Sequence, residues 1–210
     1  PSGEVLRRVN LLSDVVRYDL PGRQFEVPAP GRMLFEDRRP PDAKAPAGNA
    51  AVPALANRGA TAFQWTERLV YDEPKGAATM SGGVIIVHQP PPGQQGETWR
   101  LDASRVTAFV EPQPEIASRE PGAADVAQTL RLKKVLAEGD LTFTARDVQF
   151  EAAVVEFNPQ TNVMTARGTS RTPATLAQGP GYNRGNFDSL EFNVSTNQLK
   201  VTGFRATVRR

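Results

Sequence analysis

The stretch Phe157-Asn158-Pro159-Gln160-Thr161-Asn162-Val163-Met164-Thr165-Ala166-Arg167-Gly168 decides the fold. An aromatic residue closes an apolar run, and Asn-Pro then starts a turn. A second Asn stands five residues after the aromatic, and an apolar run leads from it to a glycine at plus eleven. Asn or Asp turns the chain through bonds to its own backbone, and Gly or Asn accepts the positive φ that such a turn needs. The same spacing recurs in Tyr71-Asp72 with Gly76 and Gly82, and in Phe192-Asn193 with Asn197 and Gly203. Each unit predicts strand, turn, strand, with the last glycine marking a bend or a close backbone approach. The units start 86 and 35 residues apart (157 − 71 and 192 − 157), so the expected stack is irregular and carries inserted loops. Tyr18-Asp19 with Gly22 resembles a further unit at a different spacing. Ala137-Glu138-Gly139-Asp140-Leu141 matches the second strand of a unit.

Between the units, apolar residues alternate at period two, the mark of half-buried strands. Phe63, Trp65, Leu69 and Tyr71 share one parity, interrupted by Glu67, and Val84 and Ile86 form another pair. Leu141, Phe143 and Ala145 alternate, then Phe150, Ala152 and Val154 on the opposite parity, which predicts a bulge or corner near Arg146–Val148. Three Pro-rich stretches, 38–57, 89–97 and 111–124, are expected to stay outside central strands, because proline lacks the ladder donor. The segment 123–138 is the one helix candidate. Lys133 and Lys134 spoil its apolar stripe, so strand is the better reading.

Composition agrees. Pro (18) and Gly (17) make up about a sixth of 210 residues, which leaves little room for long helices. Basic and acidic residues nearly cancel, 25 against 23, and spread along the chain, so no nucleic-acid footprint is present. The absence of cysteine excludes disulfides, thiolate metal sites and a cysteine nucleophile. No apolar run reaches the roughly 18–20 residues that span a bilayer as a helix. The chain begins at Pro1, which suggests a processed or truncated product from which a targeting signal or membrane anchor could have been removed.

At this point the residues resemble a family. The OstA-like proteins of lipopolysaccharide transport repeat an Ala-rich strand, a Tyr-Asp-Pro-x-Thr-Gly turn, and an apolar strand ending in Ala-x-Gly-x-Val. Phe157 to Gly168 follows that template, Thr144-Ala145-Arg146-Asp147-Val148 is similar to its Ala-Asp strand, and Leu101-Asp102-Ala103-Ser104-Arg105-Val106 to another. The likeness covers about residues 60–210, with a weaker echo before Arg39. Ser170 and Arg205 depart from the apolar residue expected after the last two repeat glycines. The resemblance implies an all-β fold, a half-open twisted β jelly roll shaped like a folded taco. It implies three parts: N-terminal strands in 1–37, a Pro/Ala-rich loop in 38–59 and an OstA-like repeat domain in 60–210. It also implies a periplasmic domain whose groove takes lipid acyl chains and whose edges add to further jelly rolls.

The groove lining is expected on one parity of each unit: Leu69, Tyr71, Ala78, Met80, Val84 and Ile86 in the first, Val155, Phe157, Met164 and Ala166 in the second, and Leu190, Phe192, Leu199 and Val201 in the third. The alternative is that these residues are core, in a structural or protein-interaction module without a lipid ligand. No cofactor, metal or catalytic residue is expected. His88, the only histidine, reads as an exposed strand-end residue without partners. Adjacent carboxylates, Glu36-Asp37 and Asp72-Glu73, face opposite sides of a strand and suit no acid–base pair. The segment 179–185 is Gly-rich but lacks a following Lys-Ser/Thr and helix, so it reads as a hairpin loop and not a phosphate loop. Arg131, Lys133 and Lys134 form a basic run on a solvated face, with contact to a lipid phosphate as the functional alternative.

Overall fold

A computed structural model describes residues 7–37, 59–92, 97–112, 130–146, 148–170, 172–178, 183–194, 196 and 198–206. They contain sixteen strands and no helix. These are β1 (Arg7–Leu12), β2 (Arg17–Asp19), β3 (Gln24–Val27), β4 (Gly31–Asp37), β5 (Gly59–Trp65), β6 (Arg68–Asp72), β7 (Ala77–Gln89) and β8 (Trp99–Pro112). There follow β9 (Leu130–Ala145), β10 (Val148–Asn158), β11 (Val163–Arg167), β12 (Ala174–Gln178), β13 (Asn183–Phe187), β14 (Ser189–Asn193), β15 (Gln198–Thr202) and β16 (Arg205–Ala206). All pairings are antiparallel.

The pairing reduces the sixteen strands to ten long passes of chain. Four strands, β7 to β10, are unbroken passes, whereas β1–β2, β3–β4, β5–β6, β11–β12, β13–β14 and β15–β16 are passes interrupted once. Each pass pairs with the pass before and after it, so the topology is an up-and-down meander in an open sheet. The interruptions, and every register shift except one at Phe109/Val110 near the end of β8, fall at one level. On β7 the shift lies between Ser81 and Val84, on β8 between Asp102 and Arg105, and on β10 between Ala152 and Val154. At that level the sheet bends into two layers that face one another across a single apolar core. Phe143 of one layer and Phe192 of the other meet with ring centroids 5.8 Å apart.

The plus-eleven positions of the repeat are this corner. Gly82 sits in the β7 shift with φ 79°, Gly168 directly follows β11, and Gly203 separates β15 from β16. A Cβ on Gly82 would run into the Glu67 side chain, which lies across the bulge where Thr66 and Glu67 pass between layers. Thr66 and Glu67 donate their amides to the carbonyls of Gly82 and Ser81 at 2.8 and 3.1 Å, fastening neighbouring passes at the bend. The Ser81 hydroxyl is buried there without a hydrogen-bond partner.

The three expected hairpins share one construction. Asp72 pairs Ala77, Asn158 pairs Val163 and Asn193 pairs Gln198, so each loop has four residues. The Asx side chain accepts a turn amide in every case: Lys75 at 3.1 Å, Gln160 at 2.9 Å and Thr196 at 3.1 Å. Gly76 and Asn162 hold the same left-handed backbone, φ 57° and 55°. A fourth copy follows at Tyr18-Asp19, where Asp19 pairs Gln24. Its left-handed residue is Arg23, φ 50°, and not Gly22, so the spacing of this copy is the same as that of the others. Turn carbonyls then bond the next pass: Arg23 accepts from Glu73 at 3.2 Å, Gly76 from Val110 at 2.7 Å and Asn162 from Val194 at 3.0 Å.

The segment 123–138, for which strand was the better reading, is strand from Leu130 onward, and its earlier residues lie outside those described. Two other sequence expectations change. The feature expected near Arg146–Val148 is a hairpin joining β9 to β10, with Arg146 at φ 36°, and the bulge follows at Ala152/Val154. Val155 and Phe157 therefore carry the buried parity that Val154 was expected to hold. β8 also continues through Glu111 and Pro112, where a terminal proline forfeits little ladder bonding. The stretches 38–57, 93–96 and 113–124 lie outside the described residues.

Gly76→Ala is expected to destabilise the protein by about 1–2 kcal/mol, the cost of a Cβ in left-handed backbone, because the new Cβ also meets the Val110 carbonyl. Asn162→Gly at the equivalent position should be neutral or slightly stabilising. Urea unfolding midpoints of the two variants against wild type check this contrast.

Candidate functional site

The candidate site is the face that the two layers turn toward each other. Ladder register lines its residues into rows that cross the whole sheet. One row runs Val27, Leu69, Met80, Val106, Ala137, Val155, Ala166, Leu190 and Val201, apolar at every step. The next runs from Tyr18 through Phe25, Tyr71, Ala78, Ala108, Val135, Phe157, Met164 and Phe192 to Leu199. Across the corner, Leu11, Met33, Phe63, Ile86, Leu101, Phe143, Phe150 and Leu176 form the matching row of the other layer. Period-two alternation places all of these on one side.

All fourteen expected lining residues lie in this face. Ten are buried: Leu69, Met80, Val84, Ile86, Val155, Phe157, Met164, Ala166, Leu190 and Phe192. Tyr71, Ala78, Leu199 and Val201 are half-buried. The ten belong to one continuous core, with the stacked rings of Phe143 and Phe150, centroids 4.9 Å apart, at its centre. Burial raises the pKa of the Tyr71 phenol, with Glu73 adding to the effect.

Cover on this face thins toward the first pass. Phe63 and Trp65 on β5 are buried, and Phe25, Met33 and Phe35 one pass further out are half-buried. On the first pass itself Val9, Leu11 and Tyr18 are 49%, 38% and 57% exposed. Seven of the eight exposed large apolar residues among those described lie between Val9 and Leu20, and the eighth is Phe204 beside the opposite edge. Sequence patterning could not locate this opening, because exposure there depends on which pass lacks a neighbour.

His88 is the clearest correction. Expected to be exposed, it is 3% exposed and faces inward. Its Nδ1 lies 2.9 Å from the Thr61 hydroxyl, and its ring stacks on Trp99 at 5.5 Å. It shares a parity with Ile86, which was the signal available in the sequence. Burial holds its pKa below the ordinary histidine value.

The remaining candidates face outward or are already engaged. Asp72 accepts from the Lys75 ammonium at 2.5 Å, which holds its carboxyl below the ordinary range, and from Gln24 at 3.1 Å. Glu73 pairs with Arg23. Glu36 lies on β4 next to inward Phe35 and so faces outward, and the Asp37 side chain lies outside those described. Lys133 meets Glu111 at 3.3 Å, and Lys134 meets Glu156 at 3.2 Å and lies 5.6 Å over the Phe109 ring. Of the Gly-rich segment, Asn183 and Arg184 begin β13, Gly185 packs under the Phe204 ring, and 179–182 lie outside the described residues. Among the described residues no group of three or more His, Asp or Glu could hold a metal, and no helix is long and apolar enough to cross a membrane.

A scan against protein-family models finds no match, and a search of curated proteins finds none.

Met80→Asp is expected to cost several kcal/mol, because it leaves an unpaired charge in a filled apolar core. Thr79→Asp faces outward, beside Thr107 at 3.2 Å, and should cost about 1 kcal/mol or less. Denaturant melts of both variants test which parity faces inward.

Proposed function

We propose that this chain is a non-enzymatic lipid-binding and bridging domain of the periplasm, acting in lipopolysaccharide transport or the carriage of a comparable amphipathic lipid. The resemblance to the OstA-like family motivates the choice of pathway and compartment. The observation that carries the reading is the uncovered part of the inner face: Val9, Leu11 and Tyr18 present apolar side chains to solvent in the same rows that form the core. Exposed apolar surface of this kind marks a site of interaction. An acyl chain laid against these residues would continue rows that already run through the molecule, and no bond-making chemistry is required. The edges supply the bridging: among the described residues, the first pass and the β15–β16 pass each have only one neighbour, which leaves one side of each to a strand of another jelly roll.

Burial of ten of the expected lining residues moves the binding position. Those residues form a filled core, so a lipid enters at the first-pass opening and not between the repeat hairpins. The same burial favours the second reading, a structural or protein-interaction module that uses its core only for stability.

Native mass spectrometry of the purified chain, with Leu11→Asp/Tyr18→Asp as the test variant and Asn10→Asp as the outward control, separates the two. The transport reading expects bound lipid in wild type and the control, and at least a tenfold loss in the double variant with the circular dichroism spectrum intact. Lipid retained by the double variant overturns this binding position. A wild-type chain that holds no lipid favours the structural module.

A further inference from the structure

We propose that His88 is a proton-operated latch: protonation of its imidazole releases the last rungs joining β5, β7 and β8 and uncovers Trp99 and the inner face behind it. The inference stands apart from any lipid reading.

Position makes the latch local. His88 is the penultimate residue of β7, and the pair His88–Trp99 is the terminal rung between β7 and β8. Thr61–His88 is the last rung but one between β5 and β7. Terminal rungs open at far lower free energy than rungs in the middle of a sheet. The imidazole is nonetheless the piece that closes this end, bonded to buried Thr61 on one side and stacked on half-buried Trp99 on the other.

Among the described residues, the inward rows around the imidazole supply no counter-charge. Within its row the described inward side chains are Val9 and Phe35 beyond Thr61 on one side, and Ala145 and Val148 beyond Trp99 on the other. The next row contributes Phe63, Ile86, Leu101 and Phe143. Glu36, Arg100 and Asp102 alternate with these and face outward, Arg100 and Asp102 being paired to each other at 2.6 Å. At this end of the sheet Glu97 and Arg146 pair with each other at 3.5 Å. An imidazolium here keeps the Thr61 oxygen as acceptor and gains the Trp99 ring face, but it loses its hydration.

The sign follows from linkage. The closed state holds the imidazole neutral, with a pKa below that of an exposed histidine, and the opened state has the ordinary value near 6.5. Above that value the two states bind equally few protons. Below it the opened state binds more, so acidification shifts the balance toward opening, by up to tenfold per pH unit until the closed-state pKa is reached.

A single histidine gives one Hε1 signal free of overlap from other histidines, so its titration is read directly by NMR. In parallel, acrylamide quenching of tryptophan fluorescence between pH 7 and 5 reports Trp99, because Trp65 is buried at 1% exposure. This window lies above the ordinary carboxylate range. The expected result is quenching that rises in step with the imidazole titration while far-UV circular dichroism stays constant, and no rise in His88→Gln or, should that variant fold poorly, in His88→Phe. Quenching that is flat, or that rises equally in the variants, overturns the latch. So does loss of the circular dichroism signal in step with the titration, since that is global unfolding.

Discussion

An antiparallel sheet with one apolar face has to hide that face, and this chain contains no helix among its described residues to lay over it. The solution is to bend the sheet and press the face against itself. Bending requires every pass to change direction at the same level, and the ladder cannot do so without giving up register there. Bulges, chain interruptions and left-handed backbone at Gly82 and Gly83, φ 79° and 67°, meet that requirement. The rest follows from this line. The rows of the two layers meet as one core, and polar alternation is left on the outside. Among the described residues, the passes at either end have only one neighbour each.

The repeat motif is better understood as a ruler than as a unit of folding. Its aromatic marks the last inward position before a turn, its Asx and left-handed residue build a four-residue loop, and its plus-eleven glycine falls on the corner. The distance from turn to corner is thereby the same in the first copy, where Ala29 occupies the corner and accepts the Trp65 indole N–H at 2.9 Å, as in the other three. Stacked turns are bonded to the following pass through their left-handed residues, which keeps that distance in register across the sheet. Apart from Gln89, Glu111 and Pro112, which end strands, the inserted Pro-rich stretches fall in sequence between passes, where the ruler has no mark.

Much of this was legible in the residues. Period-two runs and the Asx–Gly spacing were enough for an all-β architecture of hairpins, and the parity of Leu69, Met80, Phe157 and Phe192 correctly named one face. Three things were not legible, each for a physical reason. Arg23 takes a left-handed conformation that its residue type does not advertise, held by a cross-turn ion pair to Glu73 from distant sequence. The inward face of His88 was hidden by its position at a strand end, where exposure is the usual outcome. Whether an apolar parity lines a groove or fills a core depends on how close the facing layer approaches, and no pattern within one strand records that distance. The filled centre and the uncovered first pass are properties of the folded sheet alone.

The proposed function belongs to the edges of a closed core: apolar rows that run out into solvent at Val9, Leu11 and Tyr18, and strands that have a partner on one side only among the described residues. All of it depends on the sheet being folded onto itself. The most direct measurement is a nuclear Overhauser spectrum with selectively labelled phenylalanine. Phe143 and Phe192 stand in different layers with ring centroids 5.8 Å apart, and should give strong ring-to-ring cross-peaks. The in-layer neighbours Phe143 and Phe150, at 4.9 Å, provide the internal reference. Cross-peaks for both pairs support a sheet bent at the corner. A Phe143–Phe150 cross-peak with no Phe143–Phe192 cross-peak would mean an open sheet, and would contradict the core, the corner and the reading of function built on them.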